Sequence, residues 1–166
     1  MRFGADGVVI IAGGAARPLL PGCNADSAIF VARIRGSSRT SYALVRSVSG
    51  LDLFTDRPAL ATDAESGATS VSWTESSGLL AACRGRPIKS STQFCYGADG
   101  RAFSTPIRVP SSGLAGPYGS SLAVSDDGSV LVAVGKYATS GKSRLLVATS
   151  RDRGEPFDAA VELTRI

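Results

Sequence analysis

Histidine is absent from all 166 residues. That excludes Ser-His-Asp hydrolysis, histidine-ligated zinc and histidine general-base catalysis. Cysteine is scarce, with only Cys23, Cys83 and Cys95, and their spacing fits no zinc pattern. Cys83 and Cys95 could face each other across neighbouring strands and would then pair in an oxidising compartment; three free thiols are the alternative. No apolar run reaches the roughly 18 residues of a membrane-spanning helix, so no membrane association is expected. Segments rich in Glu, Lys and Leu, from which long helices are made, are missing. So are a Gly-rich phosphate loop and any cluster of metal-ligating side chains. Neither a cofactor nor a metal is expected.

What is present is glycine, 19 residues of it, and short Val/Ile/Leu runs broken by Gly, Asp and Ser. That pattern predicts an all-β chain. A hydrophobic content of 43% is enough for a core. The net charge is +4 and comes from 15 Arg and 3 Lys against 14 acidic residues. The basic residues are scattered and lack interleaved aromatics, which argues against nucleic acid. Arginine in excess is read either as codon usage or as a surface that grips carboxylates bidentately. Near the N-terminus, Val8–Ala12 is too short for a convincing signal peptide. Asp6-Gly7 just before it reads as a turn feeding a strand.

Three segments repeat one pattern of turn plus strand: 3–12, 63–73 and 125–134. Their turn glycines, Gly7, Gly67 and Gly128, lie 60 and 61 residues apart. A near-constant period indicates a repeat architecture. Each unit then continues with a loop, a second apolar strand, another turn and a closing strand. In the third unit that later turn is Ser150-Arg151-Asp152-Arg153-Gly154-Glu155-Pro156-Phe157, which reads S-x-D-x-G-x-x-F. Physically this is a tight hairpin. The Asp side chain accepts turn N–H groups, Gly supplies positive φ, and the aromatic buries itself between sheets. In the second unit Gly100 and Phe103 fit the pattern, but Asp99 is displaced by one. In the first, Gly36-Ser37-Ser38-Arg39 has lost both Asp and Gly.

These turns resemble the Asp-box, the bacterial neuraminidase (BNR) repeat of sialidase-type β-propellers. The resemblance extends over nearly the whole chain and is best over 120–163. It implies an all-β, partial propeller of about three four-stranded antiparallel blades, approximately 1–49, 50–110 and 111–166, in one incomplete domain. Closed propellers have roughly four to eight blades. The resemblance therefore implies missing blades, or self-association, to complete the ring. It also implies a secreted, extracellular parent protein.

Alternating strand directions put the Asp-box turns at one end of the sheets and the longer loops at the other. In sialidases the active site is at the loop end. Loop residues here are roughly 16–27, 49–57, 76–90, 110–119 and 137–142. They carry Arg17, Arg57, Arg84, Arg86, Lys89 and Lys142 against Asp26, Asp52 and Asp56, which suits an anionic glycan. Arg57, Arg84 and Arg86 are the candidate substrate-binding residues. Sialidases attack with a tyrosine rather than the usual carboxylate pair. Tyr118, Asp56 and Arg57 are the candidate catalytic residues, and Ser150, Asp152, Gly154 and Phe157 the structural ones. The Phe-Arg-Ile-Pro segment of the family is absent, and no Tyr–Glu pair can be placed. Trp73 alternates with Val71 and is read as core between blades rather than as a sugar platform. The implied function is a sialidase-like (exo-α-sialidase) glycoside hydrolase propeller, or a fragment inactive alone. The alternative is a non-catalytic Asp-box module for glycan or protein binding.

Overall fold

Strand alternation and glycine turns produce twelve strands among the described residues of a computed structural model of the chain. The structure describes residues 2–3, 7–20, 23–36, 39–50, 53–63, 65–77, 89–111, 119–136 and 143–165. Among these there is no helix. Sheet 1 comprises β1 (Arg2–Phe3), β2 (Val9–Leu20), β3 (Cys23–Arg35) and β4 (Arg39–Val48). Sheet 2 comprises β5 (Leu53–Thr62), β6 (Thr69–Ser77), β7 (Lys89–Gly97) and β8 (Ile107–Arg108). Sheet 3 comprises β9 (Ser120–Val124), β10 (Val130–Lys136), β11 (Arg144–Ser150) and β12 (Val161–Arg165). Every sheet is an antiparallel meander in chain order. This is the architecture of a partial β-propeller.

The three period-setting glycines occupy the same connection, between first and second strand. Their φ values are alike: 71° at Gly7, 71° at Gly67 and 80° at Gly128. Only glycine enters that region without strain, so the sequence period and the turn geometry have one cause.

The sheets stack in order. Ile10, Ile29 and Val31 of sheet 1 meet Leu60, Val71, Trp73 and Cys95 of sheet 2. The opposite face of sheet 2, with Ala61, Phe94 and Val109, meets Leu122, Val130, Val132, Val134 and Ala148 of sheet 3. Strand β5 lies against sheet 1 on one side and β9 on the other. Two hydrogen bonds between β-hydroxyls stitch these interfaces: Ser27 to Thr55 at 3.1 Å and Ser72 to Ser120 at 2.8 Å. Trp73 is wholly buried in the core, as its alternation with Val71 predicts.

Two expected loops are largely strand. Residues 53–57 of the segment 49–57 belong to β5, and residues 16–20 and 23–27 of the segment 16–27 belong to β2 and β3. β2 and β3 stay paired through Arg17↔Asp26 and, past a bulge at Pro18, to Leu20↔Cys23. A bulge is where a sheet tolerates proline, which cannot donate to the ladder. β2 and β3, of 12 and 13 residues, are longer than β10 and β11, of 7 each.

Candidate functional site

The turn end of the sheets is held by side chains of the turns themselves. Ser150 is fully buried, and its hydroxyl accepts the N–H groups of Asp152 (3.2 Å) and Gly154 (3.0 Å). The Asp152 carboxylate, expected to take those N–H groups, is exposed and makes no such bond. The buried hydroxyl performs that task instead. Phe157, expected buried, is half-buried; its ring stands edge-on to Phe94, with centroids 5.2 Å apart. Gly154 lies against the same Phe94 ring. The Arg153 guanidinium lies over Tyr96, 5.7 Å from its centroid. The motif thus fastens sheet 3 onto sheet 2.

Other aspartates do what Asp152 was expected to do. Asp63 accepts the Ser66 hydroxyl and the N–H groups of Glu65 and Ser66. Asp99 accepts Arg101 and Ala102 N–H groups. Asp127 accepts the Ser125 hydroxyl and the Ser129 N–H. These bonds hold all three carboxyls below the ordinary carboxylate range: Asp63 chiefly through Ser66, Asp99 chiefly through the Arg101 N–H, and Asp127, through Ser125 first, at about 2. A carboxyl with a lowered pKa in the folded state stabilises the fold above its unfolded pKa and ceases to as pH falls through the folded one. The urea midpoint is therefore expected to fall between about pH 4 and pH 2. Asp127→Asn should flatten part of that fall. An acid limb unchanged by the substitution would contradict this assignment.

Of the candidate binding residues, the structure describes Arg57, at the loop end. β5 bulges between Asp56 and Ala59, and Arg57 sits in the bulge with φ 56°, a left-handed backbone in a non-glycine residue. The Asp56 carboxylate accepts the Arg57 N–H at 2.7 Å and lies 3.6 Å from the guanidinium. Such strain persists only where the surroundings impose it, and it clusters at working sites. Beside it, Gly119 donates its N–H to the buried Thr74 hydroxyl, fixing the entry to β9 next to Arg57.

The cationic lean of this end is smaller than the sequence suggests. Arg17 pairs with Asp26 at 2.6 Å across the β2–β3 hairpin. Arg46 and Glu75, which the sequence reading missed, form a half-buried pair at 3.0 Å between sheets 1 and 2. Nothing local flags them, because they are 29 residues apart. A recess of about 460 Å³ opens near Arg17 and Asp26, lined by Ala15, Ala28 and Ser47. Ser27 and Val48 also line it, and neither Asp56 nor Arg57 does. Arg84, Arg86, Tyr118, Asp52, Lys142 and Cys83 lie outside the described residues. Cys95 is a free thiol whose burial pushes its pKa up to about 12. Among the described residues no cluster of His, Cys, Asp and Glu could hold a metal ion, and no helix is long and apolar enough to cross a membrane.

No protein-family model matches the sequence, and no curated protein matches it. Solved structures do. The chain superposes on the Hadza microbial sialidase Hz136 with a TM-score of 0.64 at 15% identity, covering 92% of this chain and 34% of that one. It superposes on the GH93 α-L-arabinofuranosidase of Fusarium graminearum, solved in complex with arabinobiose, with a TM-score of 0.64 at 12% identity. That match covers 96% of this chain and 45% of the other. At these identities the likeness is one of fold: the chain has a sialidase-like fold, of the kind found in these glycosidases. It spans less than half the length of either.

Proposed function

We propose that this chain is part of a sialidase-like glycoside hydrolase propeller that works outside the cell. Its share is to bind an anionic glycan at the loop end, and it does not hydrolyse sialosides alone. The observation that carries this reading is Arg57. A cation on the innermost strand of a glycosidase-type fold is held in a strained conformation by Asp56. An arginine fork suits a sugar carboxylate. Arg84 and Arg86 are proposed as its companions. Turnover needs a nucleophile, an acid and the carboxylate-binding cations held together rigidly. Three sheets offer part of that arrangement.

The second reading is a non-catalytic Asp-box module. The pairing of Arg17 with Asp26 and Arg57 with Asp56 favours it, since cations already matched have less to offer a ligand.

One experiment separates the readings. The purified chain is incubated with a fluorogenic sialoside, and binding of sialyllactose and lactose is measured alongside. The expected result is no turnover, with weak binding of the sialylated sugar only. That binding should fall with added salt, because exposed charges are screened, and severalfold in Arg57→Ala. Turnover that vanishes in Tyr118→Phe would mean that the chain holds a complete active site. Binding of neither sugar would favour a protein-binding module.

A further inference from the structure

Five large apolar side chains remain exposed among the described residues: Tyr42, Leu44, Leu131, Val161 and Leu163. None is on sheet 2. Tyr42 (72% exposed) and Leu44 (64%) belong to sheet 1, and Leu131 (41%), Val161 (64%) and Leu163 (60%) to sheet 3. These are the two ends of the stack.

Each end presents a sheet face rich in apolar side chains; on sheet 3 the polar Thr149 and Ser121 share it, opposite Leu131 and Ala133. On sheet 1 the residues that alternate with the buried Ile10, Ile29 and Val31 are Val9 and Ile11 on β2, Phe30 and Ala32 on β3, and Tyr42 and Leu44 opposite them on β4. Phe30 packs edge-on against Tyr42 and covers Gly13, so this surface is already ordered. On sheet 3 the residues that alternate with the buried Val130, Val132 and Val134 are Leu131 and Ala133, next to Val147 and Val161.

The two faces are complementary halves of the contact already made twice inside the chain. At each internal interface, one sheet offers its leading face to the trailing face of the next. Sheet 1 has an uncovered trailing face, where Val9, Ile11 and Gly13 stand in the positions held by Val130, Val132 and Val134 in sheet 3. Sheet 3 has an uncovered leading face. A second copy supplies both missing surfaces at once.

We propose that two copies of this chain associate head to tail, the sheet 3 leading face of each stacking on the sheet 1 trailing face of the other. A contact of this kind closes into a ring or grows into a filament, depending on the rotation between copies. Closed propellers use roughly four to eight sheets. Two copies of this three-sheet chain give six, and three copies would exceed that range. The proposal is independent of the glycan reading, because it rests on the sheet faces alone.

The test is the mass of the purified chain in solution, by light scattering and sedimentation over a wide concentration range. The expected result is a dimer of the 17.0 kDa chain. Leu44→Arg and Leu131→Arg should each give folded monomers, with the strand signal in circular dichroism retained. If either loses that signal, Leu→Ser at the same site replaces it. Mixing the two monomeric variants should restore dimers, because the hybrid keeps one undamaged contact. A monomeric wild-type chain overturns the proposal, as does growth into larger species. A variant that stays dimeric on its own overturns it too, since a face pairing with itself would leave the other face unused.

Discussion

Replacing Trp73 with alanine is expected to cost about 4 kcal/mol of folding stability, near the upper end for one core side chain. Trp73 is the only tryptophan and is fully buried. It lies on β6 and packs with Val71, Leu60 and Cys95 against Ile10, Ile29 and Val31 of sheet 1. Truncation empties the centre of that interface, and strands fixed by ladders on both sides cannot collapse into the space. For a domain whose total stability is on the order of 5–15 kcal/mol, this is roughly a quarter or more. The melting temperature should fall by about 10 °C. Trp73→Phe should cost much less. The indole N–H is buried without a partner, so its removal leaves no acceptor unpaired and spares a desolvated polar group. The wild-type fluorescence should be that of a dry indole and shift red in one step on unfolding. A loss below about 1 kcal/mol for Trp73→Ala would contradict the placement of this side chain in the core. So would quenching of the native emission by added sugar, which would make it a sugar platform.

The same residue illustrates what local sequence pattern can convey. Trp73 and Val71 alternate with Ser72 and Thr74, and the structure puts the two sets on opposite faces of sheet 2. Period-two alternation and turn glycines act between neighbours in sequence, so strands, turns and core face were legible. Contacts between sheets are different. Arg46 and Glu75 meet because two sheets stack, and no spacing in the sequence announces it. Arg17 and Asp26 meet because a hairpin extends past Pro18, within a segment expected to be a loop. The strain at Arg57 arises from a bulge, and a bulge in β5 has no signature in Asp56-Arg57-Pro58 beyond the proline itself. The candidate site was therefore legible as a set of charged residues near one end. Which of them already hold a partner was not.

The turn at 150–157 shows the same limit at closer range and sets a second large effect. Gly154→Ala is expected to cost about 3 kcal/mol or more, the sum of overpacking and a forbidden backbone. A Cβ there would come within 2.1 Å of Phe94 Cε1, 2.7 Å of Cδ1 and 2.9 Å of Cζ. The φ of 103° is one that alanine rarely adopts. Phe94 cannot retreat, because it is 1% exposed and braced by Phe157. Gly128→Ala isolates the backbone part. Its φ is 80° and the nearest atom is Arg153 Cγ at 3.8 Å, an ordinary contact. It should cost only about 1 kcal/mol. Ser150→Ala should fall between the two glycine substitutions, at about 2 kcal/mol. It strands the N–H groups of Asp152 and Gly154 beside a buried side chain. Asp152→Ala should change stability least, because the exposed carboxylate organises nothing in the turn. Urea unfolding of the four variants at neutral pH decides the order. If Asp152→Ala proves as damaging as Ser150→Ala, the carboxylate rather than the buried hydroxyl holds the turn. If Gly154→Ala is no worse than Gly128→Ala, the motif does not clamp sheet 3 against Phe94.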